Sequence, residues 1–133
     1  MRKILSVIIL LLALVAPVKK LDVAKLQPVE TVVIYLKDGA VVLGTDTGDV
    51  GQGSTAVEAL KNLKGRASSV IYLDTAEYLL IGQNAQNEAE ELRPYLKNSV
   101  RVGNYNGGDI NEETAYWEVH GDLPKLGSWK PPK

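Results

Sequence analysis

The chain has 133 residues, enough for one domain, with 45% hydrophobic residues, a formal net charge of −1 and no cysteine. The missing cysteines exclude a disulfide framework and a lipoprotein attachment site, and with His120 as the single histidine they exclude a zinc centre. Removing Arg2, Lys3, Lys19 and Lys20 from the 15 basic residues leaves 11 against 16 acidic ones, a net charge of −5, which argues against nucleic acid as a partner.

Residues 1–20 have the layout of a targeting segment. Arg2 and Lys3 precede an apolar run over residues 4–18, and Lys19-Lys20 closes it. The run is short of the ~20 residues of a relaxed membrane span and fits the apolar core of an export signal. Ala16 could end a cleavage site, but Leu14 stands at the −3 position and Pro17 follows directly. The expectation is a retained anchor that holds the chain in the cell membrane through residues 4–18. The rest would lie on the extracytoplasmic face, or be secreted if the signal is cleaved. Residues 21–29 read as a linker and residues 30–121 as a single domain. Residues 122–133 read as a loose tail, because Pro124, Gly127, Pro131 and Pro132 break regular structure there.

Within the domain, residues 30–36 (Glu-Thr-Val-Val-Ile-Tyr-Leu) are rich in β-branched residues and predict a strand. Asp38-Gly39 supplies the positive φ of a tight turn, and residues 40–43 return, so residues 30–45 predict a β-hairpin. Gly48, Gly51 and Gly53 argue against regular structure over residues 46–54. Ser54 or Thr55 is placed to cap a helix to about Leu63, and Thr55 with Glu58 has capping-box spacing. Ala56, Val57, Leu60 and Leu63 form its apolar face, Lys61, Lys64 and Arg66 suit its negative end, and Gly65 is a stop signal. Residues 69–73 and 78–81 predict buried strands. Residues 84–96 predict a second helix with Ala85, Ala89, Leu92 and Leu96 inward, kinked or broken at Pro94. Residues 100–102 predict a short strand, residues 104–109 a loop, and residues 110–120 a third helix carrying Tyr116, Trp117 and Val119. The fold class is α/β: a mixed sheet of four to five strands with two to three packed helices, starting with a β-hairpin.

Four motifs invite a chemical reading. Asp46-Thr47-Gly48 matches the loop of aspartic proteases, and Leu80-Ile81-Gly82-Gln83-Asn84 resembles a second protease segment. Asp49 stands where a small residue belongs, however, and only 36 positions separate Asp46 from Gly82, too few for a flap and its strands. Asp, Thr and Gly are also ordinary turn residues. Gly51-x-Gly53-x-x-Ala56, with Asp74 further on, resembles a dinucleotide fingerprint, but residues 45–50 separate it from the preceding strand. A helix N-terminus there leaves a weak anion site open. Asp46 and Asp49 lack the alternating ligands of a calcium loop. Glu88, Glu90 and Glu91 read as a charged helical face and not an acid–base pair. His120 beside Gly121 suits a helix C-terminus, and Trp117 and Trp129 are candidates for the core or for a partner surface. No catalytic, cofactor-binding or metal-binding residue is assigned, and no cofactor is expected.

One family resemblance follows from this order of elements. It is carried by Gly53-Ser54-Thr55-Ala56-Val57-Glu58-Ala59-Leu60-Lys61-Asn62-Leu63, by Ala76-Glu77-Tyr78-Leu79-Leu80-Ile81-Gly82, and by Leu92-Arg93-Pro94-Tyr95-Leu96 leading to Val100-Arg101-Val102. These segments resemble the N-terminal domain of the Ger(x)C-type C subunit of bacterial spore germinant receptors, over roughly residues 20–120. The chain differs in lacking a lipidation cysteine and in carrying Thr75 where a histidine often precedes the Leu-Ile-Gly strand. The resemblance implies a stand-alone, non-lipidated relative of that domain. It further implies a non-catalytic interaction module of sporulation or germination, assembling with membrane proteins such as germinant-receptor subunits. The competing reading is a small aspartic-protease-like hydrolase using Asp46-Thr47-Gly48.

The anchor reading has a direct check. N-terminal sequencing of the protein purified from membranes should find residues 1–20 still present. A mature start between Ala16 and Leu21 would show that the segment is a cleaved signal.

Overall fold

The computed structural model describes residues 26–66 and 70–131. The expected anchor lies outside these residues. No helix among the described residues is long and apolar enough to cross a membrane.

The hairpin forms as the sequence predicts. Strands β2 (Thr31–Lys37) and β3 (Ala40–Thr45) pair antiparallel, with Lys37 opposite Ala40 across a two-residue turn. Asp38 (φ 53°) and Gly39 (φ 81°) both take the left-handed conformation that matches the twist of the strands. The short strand β1 (Leu26–Pro28) precedes it, and β4 (Val50–Gly53) extends the hairpin on its free edge. Strand β5 (Val70–Tyr72) pairs with β1 in a separate parallel ladder, outside the main sheet where a buried strand was expected. Strand β6 (Tyr78–Gly82) then enters beside β2 in parallel, and β7 (Arg101–Tyr105) lies parallel beside β6. The main sheet is thus mixed and five-stranded, in the order β4-β3-β2-β6-β7. Every residue of β6 is buried, as a central strand covered on both faces requires.

Helix α1 (Ala56–Arg66) covers one face with Ala56, Ala59, Leu60 and Leu63. They share a core with Val32, Ile34, Val41, Leu43, Leu79, Ile81 and Val102. Val57, expected on that stripe, is 41% exposed, because it lies a residue off the stripe that the other four follow. Thr55 Oγ1 accepts the Glu58 N–H at 3.1 Å and caps the helix, while Ser54 Oγ donates to the Glu58 carboxylate. Gly65 does not stop the helix, which runs through it to Arg66.

Helix α2 (Gln86–Glu90) adds Ala89 to the same core. It is shorter than the predicted helix, since regular bonding ends at Glu90. A single 3-10 turn, Arg93–Tyr95, then carries Pro94 in its first positions. Proline lacks the N–H that continuation would need, and it disfavours α geometry in the residue before it. Helix α3 (Ile110–His120) covers the opposite face. Thr114 hydrogen-bonds Thr31 at 2.8 Å, and a Cβ at Gly103 would come 3.1 Å from the Trp117 ring.

Three further expectations are corrected. Residues 46–54 are not wholly irregular, because β4 occupies Val50–Gly53. Its glycines are there for room. A Cβ on Gly51 would fall on the Ala59 carbonyl and the Leu63 amide of α1, and one on Gly53 would sit 2.7 Å from Ala59 N. The linker does not reach residue 29, because β1 is regular and Val29 is fully buried. Thr75 fastens this segment, with its Oγ1 accepting from Val29 N at 3.0 Å and donating to Val29 O at 2.9 Å. The tail is not loose either. Leu126 is fully buried, Val102 N donates to Pro124 O and Leu126 N donates to Val100 O. The Arg93 guanidinium donates to the carbonyls of Leu126 and Trp129.

Leu60→Ala should destabilise the protein by about 2–5 kcal/mol, through lost transfer energy and a residual cavity. Lys61→Ala, on the exposed side of α1, should change stability by no more than about 0.5 kcal/mol. Urea midpoints of the two variants read the difference, and equal midpoints would refute the packing of α1 on the sheet.

Candidate functional site

The motifs singled out in the sequence are occupied with holding the fold. Asp46 Oδ1 accepts the backbone N–H of Glu30 at 3.0 Å and of Thr31 at 3.1 Å, so this carboxylate pins the start of β2 to the end of β3. Thr47 Oγ1 donates to Asp49 at 2.7 Å within the same turn. The N-terminus of α1, the open anion position, already faces a carboxylate, with Ala56 N donating to Glu91 Oε2 at 3.2 Å. Of the other glutamates near α2, Glu90 pairs with Arg93 at 2.8 Å. The Glu88 Oε2 atom is buried with no hydrogen-bond partner among the described residues. His120 ends α3 beside Gly121 and lies against the exposed Tyr116 ring, 4.2 Å between centroids. Trp117 is half-buried with its indole N–H on Asn104 O, and Trp129 packs against the core beneath Arg93. Among the described residues no group of three or more His, Asp or Glu could hold a metal ion.

Glu30, Asp46, Glu77 and Glu118 lie near one another at the start of β2. Partial desolvation holds the Glu30 carboxyl above the usual carboxylate range, and the Glu118 carboxylate raises it further, followed by Asp46 and Glu77. Tyr78 beside them is raised mainly by burial, then by Glu118, with Arg101 opposing.

A different place gathers polar side chains, among them four amides that no described residue engages. The parallel strands β2, β6 and β7 all end at the same edge of the sheet. The chain leaves β2 toward β3 on one side and leaves β6 through α2 toward β7 on the other. In open α/β sheets such a reversal leaves a crevice outside the carboxyl ends of the strands. Here it is a cleft of about 780 Å³, lined by Tyr35 and Lys37 of β2, Gly82 at the end of β6, Gln83 after it, and Gln86 of α2. Residues Asn104, Tyr105, Asn106 and Gly107 form the far wall. Gly82 must be glycine, because a Cβ there would lie 2.8 Å from that of Tyr35. The Tyr35 and Tyr105 rings meet at 5.6 Å between centroids, tilted by 36°.

The far wall is held from behind. Both oxygens of Glu113 accept backbone N–H groups, Asn106 at 2.7 Å and Gly108 at 2.6 Å. Tyr105 OH donates to Gly108 O at 2.7 Å. Burial, then Glu113, Tyr35 and Asp109, push the Tyr105 phenol above its ordinary range, so it stays protonated. The side-chain amides of Gln83, Gln86, Asn104 and Asn106 hydrogen-bond to no described residue. In the sequence Gly82 and Gln83 stand out as part of a protease-like segment and residues 104–107 only as part of a loop, and no site is assigned to any cleft residue. The only local signal was amide and tyrosine residues at strand ends, in Gly82-Gln83-Asn84 and Asn104-Tyr105-Asn106. No family model, curated protein or solved structure matches the chain.

The acidic group yields a pH-dependent expectation. A carboxyl whose folded pKa is raised destabilises the fold when ionised, and this penalty fades as pH falls through the raised pKa and is essentially gone well below the ordinary ~4.3 of glutamate. Glu118→Gln should therefore raise the thermal midpoint at pH 7, with the gain vanishing near pH 3 (about one unit below that value). A gain of equal size at both pH values would mean that Glu118 does not repel Glu30.

Proposed function

We propose that the chain is a non-catalytic binding module held at the extracytoplasmic face of a membrane by residues 4–18, with the cleft at the carboxyl ends of β2, β6 and β7 as its binding surface. The observation that carries this reading is the convergence of unpartnered amides and two tyrosines on a crevice whose wall is braced by Glu113. Bracing keeps the ordering cost of binding low, which is what a recognition surface needs. Among the described residues the lining holds no nucleophile paired with a base, and Lys37 is its one basic residue. Asp46, the residue of the hydrolase reading, is tied to two backbone N–H groups beside the start of β2 instead. The membrane setting rests on the N-terminal sequence. The resemblance to the germinant-receptor C subunit supplies its context, an assembly with membrane-embedded receptor subunits.

Site-directed photo-cross-linking in intact cells tests this reading. A benzophenone side chain at Gln83, in the cleft, should give a discrete adduct in the membrane fraction, and one at the exposed Lys64 of α1 should not. Equal adducts from both positions, or none from either, would remove the cleft as the binding surface.

A further inference from the structure

The ligand class follows from the chemistry of the lining, on the premise that the cleft is the binding surface. We infer that the cleft binds a neutral oligosaccharide, with Tyr35 and Tyr105 as the platform for a sugar ring and Gln83, Gln86, Asn104 and Asn106 as the groups that read its hydroxyls.

Three features of the lining select this class. The first is charge. Among the described residues Lys37 is the single cation of the lining and no carboxylate belongs to it. A nucleoside polyphosphate calls for several cations or a cradle of backbone N–H groups, and a cationic ligand calls for carboxylates. A neutral ligand requires neither. The second feature is the density of primary amides. Each presents two N–H donors and an acceptor oxygen side by side, and a sugar hydroxyl both donates and accepts. Adjacent hydroxyls on a ring therefore match one amide, and four amides around one cleft match several. These amides are bound to no described residue, so a ligand displaces water from them without breaking internal bonds.

The third feature is the tyrosine pair. A tyrosine offers an apolar ring face and a polar tip. A pyranose likewise has an apolar C–H face and a polar rim, so the two stack with both sets of groups satisfied. Tyr105 is held in place by its bond to Gly108 O and stays protonated, so its ring is presented in one orientation. The volume, about 780 Å³, lies in the upper part of the ~300–1,000 Å³ range of small-molecule clefts. It has room for a short chain of sugars and not just one ring. A lipid tail is disfavoured, since the apolar surface offered is confined to the two rings and Gly82.

The full chain, solubilised in lauryldimethylamine oxide so that no sugar detergent competes, is titrated with chitotriose, maltotriose or cellotriose, and with adenosine triphosphate as the charged comparison. The readout is the side-chain amide resonances of Gln83, Gln86, Asn104 and Asn106. At least one trisaccharide should shift them saturably with a Kd below about 10 mM. Tyr35→Ala should weaken that binding by about tenfold or more, and Gln83→Ala, at an exposed position, should weaken it if the tyrosine variant fails to fold. Absence of saturable shifts with all three sugars overturns the inference, as does binding of the nucleotide alone at the same amides. If the sugars fail while Gln83 still cross-links selectively, the ligand class is wrong and the cleft remains the binding surface. If both fail, the cleft itself is lost.

Discussion

Helix α1 lies on the hairpin side of the sheet at a separation that only glycine permits, and the rest of the fold is arranged around that contact. At Gly51 and Gly53 the strand backbone meets the helix backbone near Ala59 and Leu63, where any Cβ would collide. The close approach lets Leu60 and Leu63 sink fully into the sheet among Ile34, Leu43, Leu79 and Ile81. It also brings Asn62 Nδ2 to Gln52 O at 2.6 Å, which occupies an acceptor of the edge strand. Glu91, arriving from the turn after α2, takes the Ala56 N–H and joins the two helices on one face. A side chain at Gly51 would force the helix outward and leave the leucines over a gap, which is costly in a core packed at crystal density.

Polar side chains acting on backbone groups do the fastening that disulfides would do elsewhere. Asp46 secures the start of β2, Thr75 secures Val29, Glu113 secures the 106–108 loop, and Arg93 secures the C-terminal segment. Arg93 shows the principle most fully. Its pairing with Glu90 is partly exposed and contributes little on its own. The same guanidinium, held in place by that carboxylate, satisfies two carbonyls of the C-terminal segment and joins the backbone bonds of Pro124 and Leu126 in holding Leu126 buried. Each fastener is a charged or hydroxyl group that takes up backbone donors or acceptors of a segment distant in sequence or of a loop.

This division of labour explains where function can reside. The Asp-Thr-Gly turn and the glycine-rich approach to α1 look like chemistry when read as strings, and both are consumed by packing and backbone hydrogen bonds. What the fold leaves unspent are the side chains beyond the carboxyl ends of the parallel strands. There β2, β6 and β7 stop together, and Gly82 lets Tyr35 lie close against the next strand.

Much of the architecture was legible in the sequence because local physics dictates it. The positive φ of Asp38-Gly39, the β-branched run before it, the Thr55 cap and the spacing of Ala56, Leu60 and Leu63 each act within a few residues. The bounds of α3 were legible for the same reason, with Asp109 capping one end and Gly121 turning left-handed at the other. Other features depended on partners far along the chain, and only the tertiary structure decided them. Gly51 and Gly53 read as loop signals, because nothing local reports the helix lying over them. Residues 122–133 read as a tail, because the burial of Leu126 needs Arg93 and Val100 from distant segments. The cleft was illegible for the strongest version of this reason. Its walls come from three strands and a loop dispersed between Tyr35 and Gly107, and parallel strand pairing, which no local pattern encodes, is what sets their ends side by side.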